Sequence, residues 1–188
     1  RDGLKKVTAF APEEYELVIE EGVKNGIAGI NFDVILPGTP HDEGEGDCGH
    51  REQEPAHGGH EHAHRHLADI EELIAGSGLS DRVRREALRA FSLLAQAEAR
   101  VHGVRPDQVH FHEVGAVDSI IDIVGTFILM DFLGWPRVIS SPINTGSGTV
   151  RCAHGVLPVP APATEVLLHG LPVFAEGEPM ERTTPTGA

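Results

Sequence analysis

SDRVRREALRAFSLLAQAEARVHG, residues 80–103, reads as a helix with a signal at each end. Val83, Ala87, Phe91, Leu94 and Val101 recur at helical spacing and make one apolar stripe. Ser80 suits the N-cap because its hydroxyl can accept a backbone N–H that the first turn leaves without a partner, and Asp81 complements the positive helix start. Gly103, which tolerates the left-handed conformation, marks the end. Arg82, Arg84, Arg85 and Arg89 fall mostly off the stripe and belong in water. A helix with one apolar stripe needs packing partners, and the flanking segments provide them.

Upstream, Leu67, Ile70, Leu73 and Ile74 form the face of a shorter helix that Gly76-Ser-Gly78 breaks. Downstream, Val117 to Leu133 is apolar nearly all round and is expected to be a central helix. Val138 to Ile143 reads as a strand, followed by Asn144-Thr-Gly-Ser-Gly-Thr149, a short extended piece to His154, and a turn rich in proline (Pro158, Pro160, Pro162). Pro162 suits the first position of a small helix ending near Gly170, and Pro172-Val-Phe174 a last strand. At the other end, Tyr15 to Leu36 alternates apolar and polar residues around Lys24-Asn-Gly-Ile-Ala-Gly29 and reads as a hairpin. The class is therefore α/β or α+β, a mixed sheet with a hairpin and packed helices; the hairpin excludes a purely parallel sheet. Gly38 to His66 is a different material. It holds seven of the twelve histidines and seven acidic residues, with no Leu, Ile, Val or Phe, so it cannot bury itself and is expected to be a disordered surface loop.

Charge and composition narrow the function. A formal charge of −14 repels nucleic-acid phosphates and, with twelve histidines, favours cations as partners. No apolar run reaches the length of a membrane span. Two cysteines, Cys48 and Cys152, make no disulfide framework, which fits the reducing cytoplasm. The chain starts at Arg1 without a methionine and stops inside Thr183-Thr-Pro-Thr-Gly-Ala188, so residues 1–188 are expected to be a single N-terminal domain of a longer protein, with the histidine-rich loop at 38–66.

Five groups of residues can carry chemistry. His110-Phe-His-Glu113 puts His110 and His112 on one side of an extended segment, beside Glu113, and Asp118 and Asp122 share a helix face. Two imidazoles and nearby carboxylates suit a divalent metal. On a helix this apolar the two aspartates are expected to be half buried and to need a positive neighbour. The competing reading makes Asp118 a helix-start carboxylate, Asp122 one side of an internal ion pair, and the histidines satisfied core residues. His57, His60, His62, His64 and His66 can gather nickel, copper or zinc, or belong to a solvated insert without a role. Gly146-Ser147-Gly148 with Arg151 can hold a phosphate through backbone amides and a guanidinium, although most such turns are only turns. Cys152 and His154 make a soft pair or a buried thiol beside an imidazole, and Thr183 and Thr184 offer hydroxyls to an anion.

The motifs His110-Phe-His-Glu-Val-Gly-Ala-Val-Asp-Ser-Ile120, Ser141-Pro-Ile-Asn-Thr-Gly-Ser-Gly-Thr-Val150, Cys152-Ala-His-Gly-Val-Leu-Pro-Val-Pro-Ala-Pro-Ala-Thr164 and Thr183-Thr-Pro-Thr-Gly187 resemble the LarC family of nickel-insertion proteins. The likeness covers most of residues 66 to 188. It implies insertion of Ni²⁺ into pyridinium-3,5-bisthiocarboxylic acid mononucleotide, forming metal–carbon and metal–sulfur bonds. It implies dependence on CTP with Mg²⁺ or Mn²⁺, held by a C-terminal domain outside these residues. It also implies a small mononucleotide substrate, a recipient apo-enzyme of the lactate racemase type and a homo-oligomer in the full-length form, with no nucleic acid or membrane. The mechanistic expectation is that the loop histidines gather Ni²⁺ and that His110, His112, Glu113, Asp118 and Asp122 hold it. Glu113 or Asp118 then takes the ring proton, while Gly146, Ser147, Gly148, Arg151, Cys152, His154, Thr183 and Thr184 face the mononucleotide. A plain nickel store and a metal-dependent phosphohydrolase are the competing functions.

Overall fold

Ser80 opens helix α2 (Asp81–His102) by accepting the Val83 N–H on its Oγ at 3.3 Å. Gly103 closes the helix in the left-handed conformation, φ 66°. These details come from a computed structural model, which describes residues 15–24, 26–35, 65–111, 117–152 and 154–188. The Ser80 hydroxyl also donates to Asp131 Oδ2 at 3.1 Å, Asp131 Oδ1 accepts the Trp135 indole N–H at 2.7 Å, and the Arg82 guanidinium lies 4.2 Å from the Trp135 ring centroid. The cap is thus tied to the far end of the next helix. Ser80→Ala should cost about 1 kcal/mol, the usual value of such a cap, read as a lower urea midpoint with an unchanged slope.

α2 is the central helix. It packs against α1 (Leu67–Gly76), α3 (Val117–Phe132) and α4 (Pro162–Leu167). Val83, Ala87, Phe91 and Leu94 are buried as the stripe requires, and Ala95, Ala97 and Ala99 are buried beside them. Small residues off the stripe let neighbours approach on more than one side. This corrects the expectation that α3, the most apolar helix, is the central one. α3 buries Ile120, Ile121, Ile123 and Val124 but leaves Leu129 and Phe132 exposed. α1 contributes Ile70 and Ile74, both fully buried.

Helices and strands are mixed, and among the described residues the strands form four separate two-stranded ladders rather than one sheet. The hairpin β1 (Glu16–Lys24) and β2 (Ile27–Ile35) is antiparallel, with Lys24 opposite Ile27. It belongs to one compact unit, and everything from Arg65 onward to another. In that second unit β3 (Arg65–His66) pairs antiparallel with β4 (His110–Phe111). β5 (Ile143–Asn144) pairs in parallel with β8 (Val173–Phe174), and β6 (Thr149–Cys152) antiparallel with β7 (Gly155–Pro158). Pairing is short because proline interrupts it. Pro136 and Pro142 bracket the strand expected over Val138–Ile143, and only Ile143 joins a ladder; Val138 and Ile139 are unpaired and exposed. Of the expected disordered loop, residues 38–64 lie outside the described residues, and Arg65 and His66 form a strand. Among the described residues no helix is long and apolar enough to cross a membrane.

Candidate functional site

Where the last turn of α2, the β6–β7 hairpin, the start of α4 and the C-terminal segment meet, they enclose a cavity of about 260 Å³. Its walls are apolar, from Val101, Phe111, Leu157, Pro162 and Pro185. Val101, expected in the buried stripe, is partly exposed because it faces this space. Such a volume exceeds the roughly 150 Å³ that admits benzene and falls below the roughly 300 Å³ at which pockets for whole drug-sized ligands begin. It suits one substituted ring.

The polar groups on the wall are concentrated. Glu98 and His102 lie one turn apart on α2, with His102 Nε2 3.4 Å from Glu98 Oε2. The His102 ring is 4.9 Å from that of His154, tilted by 43°. The β6–β7 ladder alternates Thr149 and Arg151 outward with the half-buried Val150 and Cys152, so Cys152 reaches the wall; the turn that follows brings His154 there. His110 enters from β4, and Glu181 and Thr184 from the C-terminal segment. Among the described residues no three histidine, cysteine or carboxylate side chains converge tightly enough to hold a metal ion as they stand. The site therefore offers proton-accepting imidazole, a free thiol and carboxylate around an apolar slot.

Gly146 explains how the C-terminal segment arrives. It has φ 79° and forms a β-bridge with Glu181. A Cβ on Gly146 would overlap the Met180 carbonyl oxygen and lie 2.9 Å from the Arg182 nitrogen. Asn144 Oδ1 accepts the Gly146 N–H at 3.0 Å, and the Ser147 N–H donates to Met180 O at 3.2 Å. Two amides of the expected anion cradle are thus engaged inside the protein, and Arg151 is exposed away from the cavity wall. Thr183 Oγ1 donates to Asn144 O at 2.8 Å, which leaves Thr184 as the threonine of the pair on the cavity.

The nickel insertion protein family model matches residues 1–188. The chain belongs to that family. It is 47% identical over 178 residues to the pyridinium-3,5-bisthiocarboxylic acid mononucleotide nickel insertion protein of Geobacillus kaustophilus, covering 93% of this chain and 39% of the relative. Identity to the protein of the same name from Clostridium kluyveri is also 47%, over 181 residues, covering 93% and 41%. For that of Clostridium acetobutylicum it is 48% over 193 residues, covering 93% and 44%. The chain thus spans about two-fifths of the length of the curated relatives it matches. No solved structure matches it.

In this nickel insertion family member, the cavity unites His110, Cys152, His154 and Thr184 from the motifs singled out in the sequence. His112 and Glu113, and His57, His60, His62 and His64, lie outside the described residues. Asp118 and Asp122 do not line the cavity and are exposed on α3, contrary to the expectation of a half-buried pair; the apolar residues between them face inward while the carboxylates reach water. Asp118 Oδ1 accepts the Ser119 N–H at 2.8 Å. Partial desolvation, and then the Asp118 charge, raise the Asp122 carboxyl above its ordinary value of 3.8. The folded chain therefore holds that proton more tightly than the unfolded chain, and a small margin of stability is lost as pH rises through the raised value. Asp122→Asn should increase stability at pH 7 by a few tenths of a kcal/mol and leave it unchanged at pH 3, measured as urea midpoints at the two values.

Glu98, His102 and Glu181 escaped the sequence reading. The Glu-x-x-x-His spacing at the end of α2 is a local signal for the first two. Glu181 has none, because a chain crossing at Gly146 delivers it.

Proposed function

We propose that the protein to which this chain belongs inserts Ni²⁺ into pyridinium-3,5-bisthiocarboxylic acid mononucleotide, and that the cavity receives the ring end of that substrate. The observation that carries this reading is the cavity itself, sized for one substituted ring and lined from all four motif segments. Val101, Phe111, Leu157 and Pro162 cover the ring faces and exclude water. His110 presents the incoming nickel ion at the wall, with His112 beyond it in the chain. The ribose phosphate stays outside, where Arg151 is available to it.

Forming a nickel–carbon bond replaces a ring C–H. The electron pair of that bond passes to nickel and the proton leaves to a base, so no oxidant or reductant is required. His102, held by Glu98, is the base on the cavity wall; Asp118, exposed on α3, is too solvated for that part, and Glu113 remains a candidate through its position beside His112. Cys152 and His154 face the thiocarboxylates. CTP with Mg²⁺ or Mn²⁺ belongs to a C-terminal domain of the longer protein, which acts as a homo-oligomer, delivers product to a recipient apo-enzyme and works in the cytoplasm, a compartment that keeps the Cys152 thiol reduced.

The test incubates the full-length protein with the thiocarboxylate mononucleotide and Ni²⁺, with and without CTP, and follows the product by mass spectrometry. The expected result is a product heavier by nickel less the displaced protons, formed only with CTP. Nickel binding with no such product would instead mark a non-catalytic store.

A further inference from the structure

His66 and His110 stand directly opposite one another in the β3–β4 ladder. Their ring centroids are 4.1 Å apart, tilted by 54°. His66 is the last of the seven histidines in residues 38–66, and His110 lines the cavity. His66 is thus the one described histidine of that run, and it stands beside a residue of the cavity wall. Their places are set by backbone, not by flexible side chains alone. The ladder holds both residues, and the His66 N–H donates to Asp69 Oδ2 at 2.7 Å as helix α1 begins. Alternation along β3 places Arg65 and His66 on opposite faces of the ladder.

We infer that His66 and His110 form a two-imidazole transfer site for a divalent borderline metal ion, through which the ion passes from the histidine-rich segment to the cavity. Opposed strand positions bring two side chains within reach of one ion, and neutral imidazole is a good ligand for nickel, copper and zinc. Two ligands with water in the remaining positions bind weakly, which suits transfer: a third ligand adds from the cavity side as one leaves on the other. That nickel is the cargo rests on the function proposed above, whereas the pair's ability to bind metal does not.

The experiment uses the full-length protein with His41, His50, His57, His60, His62 and His64 replaced by glutamine, so that His66 alone remains of that run. Ni²⁺ is titrated by calorimetry without CTP or mononucleotide. His66→Ala and His110→Ala should each weaken one site at least about tenfold, the effect expected on losing a group that governs metal affinity. The double variant should be no worse than either single one, because both remove the same site. His66→Gln, which keeps size and polarity, should match His66→Ala. In product formation with the native histidine run, His66→Ala should raise the nickel concentration for half-maximal rate at least about tenfold and leave the saturated rate unchanged. Unchanged affinity in either single variant, or losses that add in the double variant, would overturn the pairing whether or not product is formed.

Discussion

Gly146→Ala is expected to destabilise the chain by about 3 kcal/mol or more. A residue with a side chain at φ 79° meets the steric cost of the left-handed region, about 1–2 kcal/mol. Overlap of the new Cβ with the Met180 carbonyl then forces two backbone segments apart, typically for a further 1–3 kcal/mol or so. Neither atom is the end of a flexible side chain that can swing away. The neighbouring bonds depend on the same crossing: Ser147 N–H to Met180 O at 3.2 Å, and Arg182 N–H to Thr145 O, also at 3.2 Å. Gly103→Ala is the control, because Gly103 has φ 66° but open space where a Cβ would go. It should cost only about 1 kcal/mol. Urea unfolding of both variants decides the matter, and equal losses would show that the crossing at Gly146 carries no special constraint. A tolerated Gly146 variant should still lose insertion activity, since Glu181 and Thr184 reach the cavity through this crossing.

His102→Ala should lower the rate of nickel-product formation by about 10²–10⁴-fold, the usual contribution of a positioned base. The loss should fall on the saturated rate, with the nickel concentration at half-maximal rate little changed, since His102 is given a proton to move and not the metal. Glu98→Gln should have a smaller effect, because it keeps a partner for the imidazole and removes only the charge. His102 is partly exposed and sits at the last turn of α2, so its truncation should leave the urea midpoint close to that of the parent. A normal saturated rate in His102→Ala would move the base elsewhere in the site, with Glu113 the first candidate.

Several parts of the candidate site are legible in the sequence alone. His110, Cys152, His154 and Thr184 stand in motifs whose residue types speak for themselves, and the cavity gathers all four. The acidic pair on α3 is more exposed than the sequence implies, for an identifiable reason. Helical periodicity says that Asp118 and Asp122 share a face but not which way that face points, and it points to water. The glycines at 146 and 148 read as an anion cradle because small residues serve two purposes, exposing amides and letting chains cross; at Gly146 the second applies.

The sequence by itself determined the helices, their caps, the hairpin and the family, because each of these is set within a few turns of chain or by ordered runs of residues. Ser80, Gly103 and Pro162 mark their helix ends through local capping and backbone preference, and the Asp131 contact at Ser80 is an addition to that. Only the tertiary structure decided that α2 and not α3 is central, that His66 faces His110, and that Glu98, His102 and Glu181 share a cavity with Cys152. Those outcomes depend on how closely helices approach and where separated segments cross. Packing of small residues and a glycine without a side chain govern both, and neither leaves a periodic signal in the chain.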